Sequence, residues 1–317
     1  PAHASKTSQS PATNAHGLVT PLWPLPLVAL KTSCVKHGVT LAKSSKTKQT
    51  TRPKRPLTHG EHDMPKRGLG MDVFTAAQQR IEWTFDTFDK IYLSFSAGKD
   101  SGVMMHLVCQ EAIKRGRRVG VFFLDWEAQF TATVDHARRM FKLYEQCIDP
   151  YWIALPIKTW NACSTFDPEW TAWDPAKRNL WVREPEPVSI TDTSAMPFWY
   201  EGIMFEEFVP TFGQWYAQGE KCACFVGIRA QESLNRFRTI AREKPMYEGK
   251  PYTTNVVENV WNVYPIYDWR TEDIWTYNGR FQADYNKLYD RMHQAGMTIH
   301  QMRICEPFGD ESRKGLW

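Results

Sequence analysis

Nine consecutive residues, Ser94-Phe95-Ser96-Ala97-Gly98-Lys99-Asp100-Ser101-Gly102, combine the types and spacing that hold phosphate. Small residues at Ser96, Ala97 and Gly98 let backbone N–H groups come close to an anion, and Lys99 adds a point charge. If a helix starts here, its positive end adds to both. A second group, Arg229, Glu232, Arg236 and Arg238, lies in Gly227-Ile228-Arg229-Ala230-Gln231-Glu232-Ser233-Leu234-Asn235-Arg236-Phe237-Arg238. Arginine grips phosphate or sulfate oxygens in pairs, so these side chains are expected to hold a different part of the ligand from the loop. A third group is Asp125 with Glu127. Carboxylates at a strand end accept ribose hydroxyls or hold Mg²⁺ between phosphates, and an Asp there can equally cap a helix.

These groups need a scaffold that gathers them on one edge, and the surrounding pattern supplies it. Ile91–Phe95 reads as a buried strand and Gly102–Ile113 as a packed helix, with the polar loop between them. Val119–Leu124 is a second buried strand ending at Asp125. Phe130, Val134, Ala137, Phe141 and Tyr144 then recur at helical spacing, and Tyr151–Leu155 forms a third strand. Short connections and right-handed crossovers give an α/β fold, a parallel sheet with helices on both faces. Ligands gather at the carboxyl ends of such strands. Phe205–Ala217 reads as a further helix and Lys221–Ile228 as a strand delivering the arginines to that edge. Val263–Trp275 reads as an extended segment followed by a helix, which Thr271 is expected to cap. Residues 157–203 interrupt the alternation with Trp160, Trp170, Trp173, Trp181 and Trp199 among prolines, as an insertion or lid with its own small core.

The loop is not a Walker loop, because Asp100 follows Lys99 and no glycine stands five residues before Gly98; G-x-G-x-x-G is absent too. Ser96–Ser101 resembles the PP-loop, S-G-G-K-D-S. Ala97 replaces its first glycine, at little expected cost because only a positive φ penalises alanine. Together with Gly227–Ser233 and Pro265-Ile266-Tyr267-Asp268-Trp269-Arg270-Thr271-Glu272-Asp273-Ile274-Trp275, the loop resembles the phosphoadenosine phosphosulfate (PAPS) reductase-like family of the PP-loop, or adenine nucleotide alpha-hydrolase, superfamily. The likeness runs over about residues 72–310. Leu124–Gln129 and Arg303-Ile304-Cys305-Glu306-Pro307-Phe308-Gly309-Asp310 are similar to the IbrA-like branch of enterobacteria and their phages.

The resemblance implies an adenine nucleotide ligand, ATP or PAPS, with Ser94, Ser96, Ala97, Gly98, Lys99, Asp100 and Ser101 around its phosphates. It puts Asp125 near ribose or adenine and the arginine segment on phosphate or sulfate. Lys99, Asp100 and Arg229 are the expected catalytic residues of a reaction at the α-phosphate or sulfate, of the ATP pyrophosphatase or adenylyl-transfer type. Two rival functions are a phosphoadenylyl-sulfate reductase of sulfate assimilation and a nucleotide-sensing regulatory or nucleic-acid-modifying subunit. The branch implies a ParB-like partner of the IbrB type. Reductases carry a C-terminal Glu-Cys-Gly-Leu/Ile-His motif that this sequence lacks. Cys305 is not expected to act as nucleophile, since the adjacent Glu306 would raise its thiol pKa.

Charge divides the chain. Residues 1–70 hold eleven Lys and Arg against Glu61 and Asp63, a balance of +9, so residues 71–317 contribute −5 to the net +4. The acidic remainder argues against nucleic-acid contact unless the tail is native. Rich in Ser, Thr, Pro and Lys with no apolar period, the tail is expected to be disordered. Because Pro1 is no initiator and Met71-Asp72-Val73-Phe74 directly precedes a helical pattern, the tail is read as translated upstream sequence. A targeting segment or nucleic-acid arm is the alternative. Its apolar stretch Pro21–Leu30 is broken by Pro24 and Pro26, and no segment approaches a membrane-spanning length. Seven cysteines without a CxxC pair point to reduced thiols and a cytoplasmic location. Cys222 and Cys224 share one strand face and read as core; no metal site is expected. A protein starting at Met71 should melt within a degree or two of the full chain; a loss of several degrees in scanning calorimetry would place the tail on the core.

Overall fold

The computed structural model describes residues 70–241, 245–304 and 307–308. The tail of residues 1–69 and Cys305 therefore lie outside the described residues. Helix α1 (Val73–Thr87) leads into β1 (Lys90–Ser94), α2 (Lys99–Arg115), β2 (Val119–Leu124), α3 (Thr131–Leu143) and β3 (Ile148–Ile153). A hairpin of β4 (Ile157–Trp160) and β5 (Glu169–Ala172) precedes α4 (Phe205–Ala217), β6 (Cys222–Val226) and α5 (Leu234–Ala241). The chain continues through β7 (Thr253–Val257), β8 (Val260–Val263), α6 (Thr271–Phe281) and α7 (Leu288–Gln294).

Six strands form one sheet in the order β3-β2-β1-β6-β8-β7. All neighbours are parallel except β7 and β8. That pair is the antiparallel edge of the expected parallel sheet, for a simple reason: only Glu258 and Asn259 separate the two strands, and so short a link can join only antiparallel neighbours. Asn259 takes the left-handed φ of 61° that such a turn needs.

Alternation along the strands builds two cores. Ile91, Leu93, Val121 and Phe123 face one way, against Ile81 and Phe85 of α1, Val108 of α2 and Phe141 of α3. Tyr92, Phe122, Cys222 and Cys224 face the other, against Phe208 and Phe212 of α4. Both cysteines are thus core residues, and burial pushes the Cys224 thiol up to about 12. Trp126, Trp173, Met196 and Ile203 extend this second core, so the aromatic insertion packs continuously with the sheet. Trp160 is exposed, while the Trp181 and Trp199 indole N–H groups donate to the Asp174 and Pro156 carbonyls at 3.0 and 2.9 Å. Among the described residues no helix is long and apolar enough to cross a membrane.

Several boundaries differ from the sequence reading. Helix α2 opens at Lys99 rather than Gly102, so the polar residues of the loop form its first turn. Strand β3 begins at Ile148 and contains Pro150, which an edge strand tolerates because one row of its N–H groups has no ladder partner. Phe130 is the exposed N-cap of α3 rather than part of its buried face. Thr271 is the first residue of α6, whose N-cap is Arg270. Its backbone N–H donates to Asp273 Oδ2 at 2.7 Å.

Two histidines lie buried where α2 and α3 meet. His106 Nδ1 accepts from Tyr144 Oη at 2.6 Å and Nε2 donates to the Asp284 carbonyl at 2.9 Å; His136 packs edge-on to Phe95. Burial holds both imidazoles below their ordinary value of 6.5. As pH falls below that value the unfolded chain takes up protons that the folded chain refuses, so stability is complete above it and declines towards the lowered folded values. The urea midpoint should fall between pH 7.5 and 5.5, and His136→Leu should flatten that decline; an equal slope in the variant would exclude His136 as a source.

Candidate phosphate-binding site

The loop leaves β1 at the carboxyl edge of the sheet. Ser94 is still in the ladder, paired with Phe122 and Val226. Ser101 ties the loop's two ends: its Oγ accepts from the Ser96 N–H at 3.2 Å and the Ser96 hydroxyl at 3.0 Å, and donates to the Gly98 carbonyl at 3.3 Å. Ala97 has a φ of 56°, which overturns the expectation that alanine costs little here. A left-handed L-residue is disfavoured by roughly 1–2 kcal/mol, so the neighbours must hold it there. Among the described residues the Ala97 and Gly98 N–H groups meet no hydrogen-bond acceptor. Two unpaired donors thus stand beside the positive end of a seventeen-residue helix, Gly98 partly exposed and Ala97 buried.

Lys99 and Asp100 are both buried, and they are wired to Arg229. Asp100 Oδ2 lies 3.0 Å from Lys99 Nζ, and Oδ1 lies 2.5 Å from Arg229 Nε. Arg229 is only 2% exposed, and its Nη1 also reaches the Gln231 side chain and the Trp269 carbonyl. Gly227 makes this junction sterically feasible, since a Cβ there would sit 3.0 Å from the Ser101 backbone. Loop and arginine segment are one ion-paired unit, and this corrects the reading of two independent grips. Glu232 Oε2 accepts from the Arg229 N–H at 3.2 Å and from Arg236 at 2.6 Å. Arg236 and Arg238 point to solvent and do not line the cavity beside the loop.

That cavity, of ≈ 280 Å³, is bounded by Lys99, Arg229, Gln231, Glu232, Thr271, Ile299, His300 and Arg303. Three permanent cations against one carboxylate give it a positive field suited to phosphate or sulfate. Gln231, Thr271, His300 and Arg303 were not anticipated as site residues. Arg303 arrives from beyond α7 and donates to the Glu232 carbonyl. Gln231, Thr271 and Arg303 lie in the segments that carry the family resemblance, without a site role assigned to them there; His300 lies in none of these segments.

Asp125 and Glu127 sit at the end of β2 and turn towards the insertion. Asp125 Oδ2 accepts from Trp152 Nε1 at 2.8 Å, and Oδ1 accepts from the Glu127 N–H at 3.0 Å and from Arg183. The Asp125 carbonyl accepts from Trp173 Nε1 at 2.6 Å, and Glu127 Oε2 accepts from the Trp173 N–H at 2.8 Å. Neither carboxylate caps α3, whose N-cap is Phe130. Among the described residues no three His, Cys, Asp or Glu side chains gather as a metal cluster.

Comparison with known proteins finds similar chains both by sequence and by structure. YbdN of Escherichia coli, an uncharacterized protein, is 44% identical over 253 residues, which is 78% of this chain and 62% of YbdN. MJ0973 of Methanocaldococcus jannaschii, also uncharacterized, is 26% identical over 202 residues, 63% of this chain and 38% of its own. The chain therefore spans less than two thirds of either relative. Among solved structures, the PAPS reductase of Candida auris in its phosphate complex aligns with a TM-score of 0.42 and 15% identity, covering 74% of this chain and 89% of the other. The FMN adenylyltransferase of Candida glabrata with ATP aligns at 0.40 and 15%, covering 68% and 57%. One family profile is matched from residue 90 to residue 295, a span that opens with β1, holds the loop and the Asp100–Arg229 pair, and closes just past α7. On that match the chain belongs to the phosphoadenosine phosphosulfate reductase domain family.

Proposed function

We propose that the protein binds an adenine nucleotide with a phosphate chain, ATP or PAPS, and acts at its α-phosphate or sulfate. The observation that carries this reading is the pair of unpaired loop amides at the head of α2, followed directly by Lys99, which with Arg229 and Arg303 walls a cavity. The amides and Lys99 would stabilise charge that develops on the departing or transferred group. Arg229 sets the direction of Asp100 and, through it, of Lys99. Mg²⁺ fits the carboxylates poorly: Asp100 is shared by two cations, Asp125 is held by Arg183 and Trp152, and Glu232 by Arg236. The Leu124–Gln129 segment supports placing the protein in the IbrA-like branch, with a ParB-like partner acting in trans.

Calorimetric titration with AMP, ATP and PAPS tests the reading. ATP and PAPS should bind more tightly than AMP, and Lys99→Ala should weaken both by about 1.5–3 kcal/mol, the range for a hydrogen bond to a charged group. Unaltered binding in that variant would remove the nucleotide reading.

Arg229→Ala should act differently, because it strands a buried carboxylate. The expected loss is about 3–5 kcal/mol of folding stability by urea denaturation, with all three nucleotides weakened together. Selective loss of ATP and PAPS at unchanged stability would show that Arg229 contacts the ligand alone.

A further inference from the structure

The connection between α6 and α7, together with the first turn of α7, touches the loop at two places. Asn286 is fully buried, and its Nδ2 donates to the Ala97 carbonyl at 3.1 Å and to Thr133 Oγ1 at 3.0 Å. Its Oδ1 accepts from the Leu288 N–H at 2.9 Å, so the amide is satisfied on both sides. Tyr289 Oη accepts from the Lys99 N–H at 3.0 Å. The connection is itself anchored. Asp284 takes two bonds from Arg139 of α3, at 2.7 and 3.1 Å, and its carbonyl accepts from His106 of α2. The two contacts flank Gly98, gripping the Ala97 carbonyl on one side and the Lys99 N–H on the other.

We propose that Asn286, seconded by Tyr289, is the positioning residue that keeps Ala97 left-handed and so keeps the anion-binding face of the loop formed before ligand arrives. The inference rests on the reading of that loop as a phosphate site. An alanine at a φ of 56° gains by relaxing to negative φ, and relaxation would swing the unpaired Ala97 and Gly98 N–H groups out of register. A glycine would need no such restraint. The buried amide thus compensates, from 189 residues away, for the alanine that stands in the glycine position.

A double-mutant cycle on the full chain decides it, with inorganic pyrophosphate as the probe in calorimetric titration. Asn286→Ala should weaken pyrophosphate binding about tenfold, the order expected from one released left-handed alanine. The same substitution made together with Ala97→Gly should cost much less than it does alone. Damage to packing would instead cost the same in both backgrounds. Thr133→Val removes the second acceptor of Asn286 with little change of shape; it should give a smaller loss with the same rescue, and decides the matter alone if Asn286→Ala does not fold. Undiminished affinity in both variants, or a loss that Ala97→Gly leaves intact, overturns the clamp. If the unaltered protein binds neither pyrophosphate nor ATP, the phosphate-site reading falls and the clamp falls with it.

Discussion

A buried carboxylate must be neutralised where it stands, and Asp100 meets that demand by standing between two cations. Its place in the first turn of α2 already favours negative charge. The remaining compensation comes from Lys99 beside it in sequence and from Arg229, delivered by β6 from the neighbouring position in the sheet. Three elements are thereby drawn to one point: the loop after β1, the head of α2 and the segment after β6. The approach is possible only because residue 227 has no side chain. Two cations sharing one carboxylate leave an excess positive charge, and that excess faces the cavity.

Around this ion cluster the molecule is layered by the ordinary demand that both faces of a parallel sheet be covered. One face is covered by α1, α2 and α3, the other by α4 and the aromatic insertion. The site needs neither cover directly. It uses what projects past the strand ends, and the α6–α7 connection with the first turn of α7 supports it.

Much of this was legible in the chain. Strand β2 and helix α4 have the bounds that their patterns announce, β2 as an unbroken buried run and α4 as an aromatic-rich segment that stays helical through Pro210. The loop was legible too, as small polar residues between a strand and a helix. What escaped depends on distance. The partner of Arg229 lies 129 residues away, and nothing in its own neighbourhood distinguishes a free arginine from an ion-paired one. The positive φ of Ala97 was hidden because alanine carries no mark of the backbone it adopts. Asn286 and Tyr289 sit in a connection and a first helical turn without any motif. Their role appears only when the loop and the connection are seen together. Asp125 was visible as a strand-end carboxylate, but its orientation was decided by Trp152, Trp173 and Arg183, whose approach no spacing encodes.

The grip of the insertion on the end of β2 limits how the protein can be rearranged. Asp125 and Glu127 are 1% and 7% exposed; Arg183 shares the Asp125 carboxylate with Trp152 and the Glu127 N–H, while Trp173 bonds the Asp125 carbonyl and the Glu127 carboxylate. Excising residues 157–203 would remove the Arg183 and Trp173 partners and open both acids to water, leaving Asp125 with Trp152 and the Glu127 N–H. Residues 125–127 and 157–203 therefore form one unit of exchange. A chimaera with a relative has to transplant the strand end together with the segment that covers it.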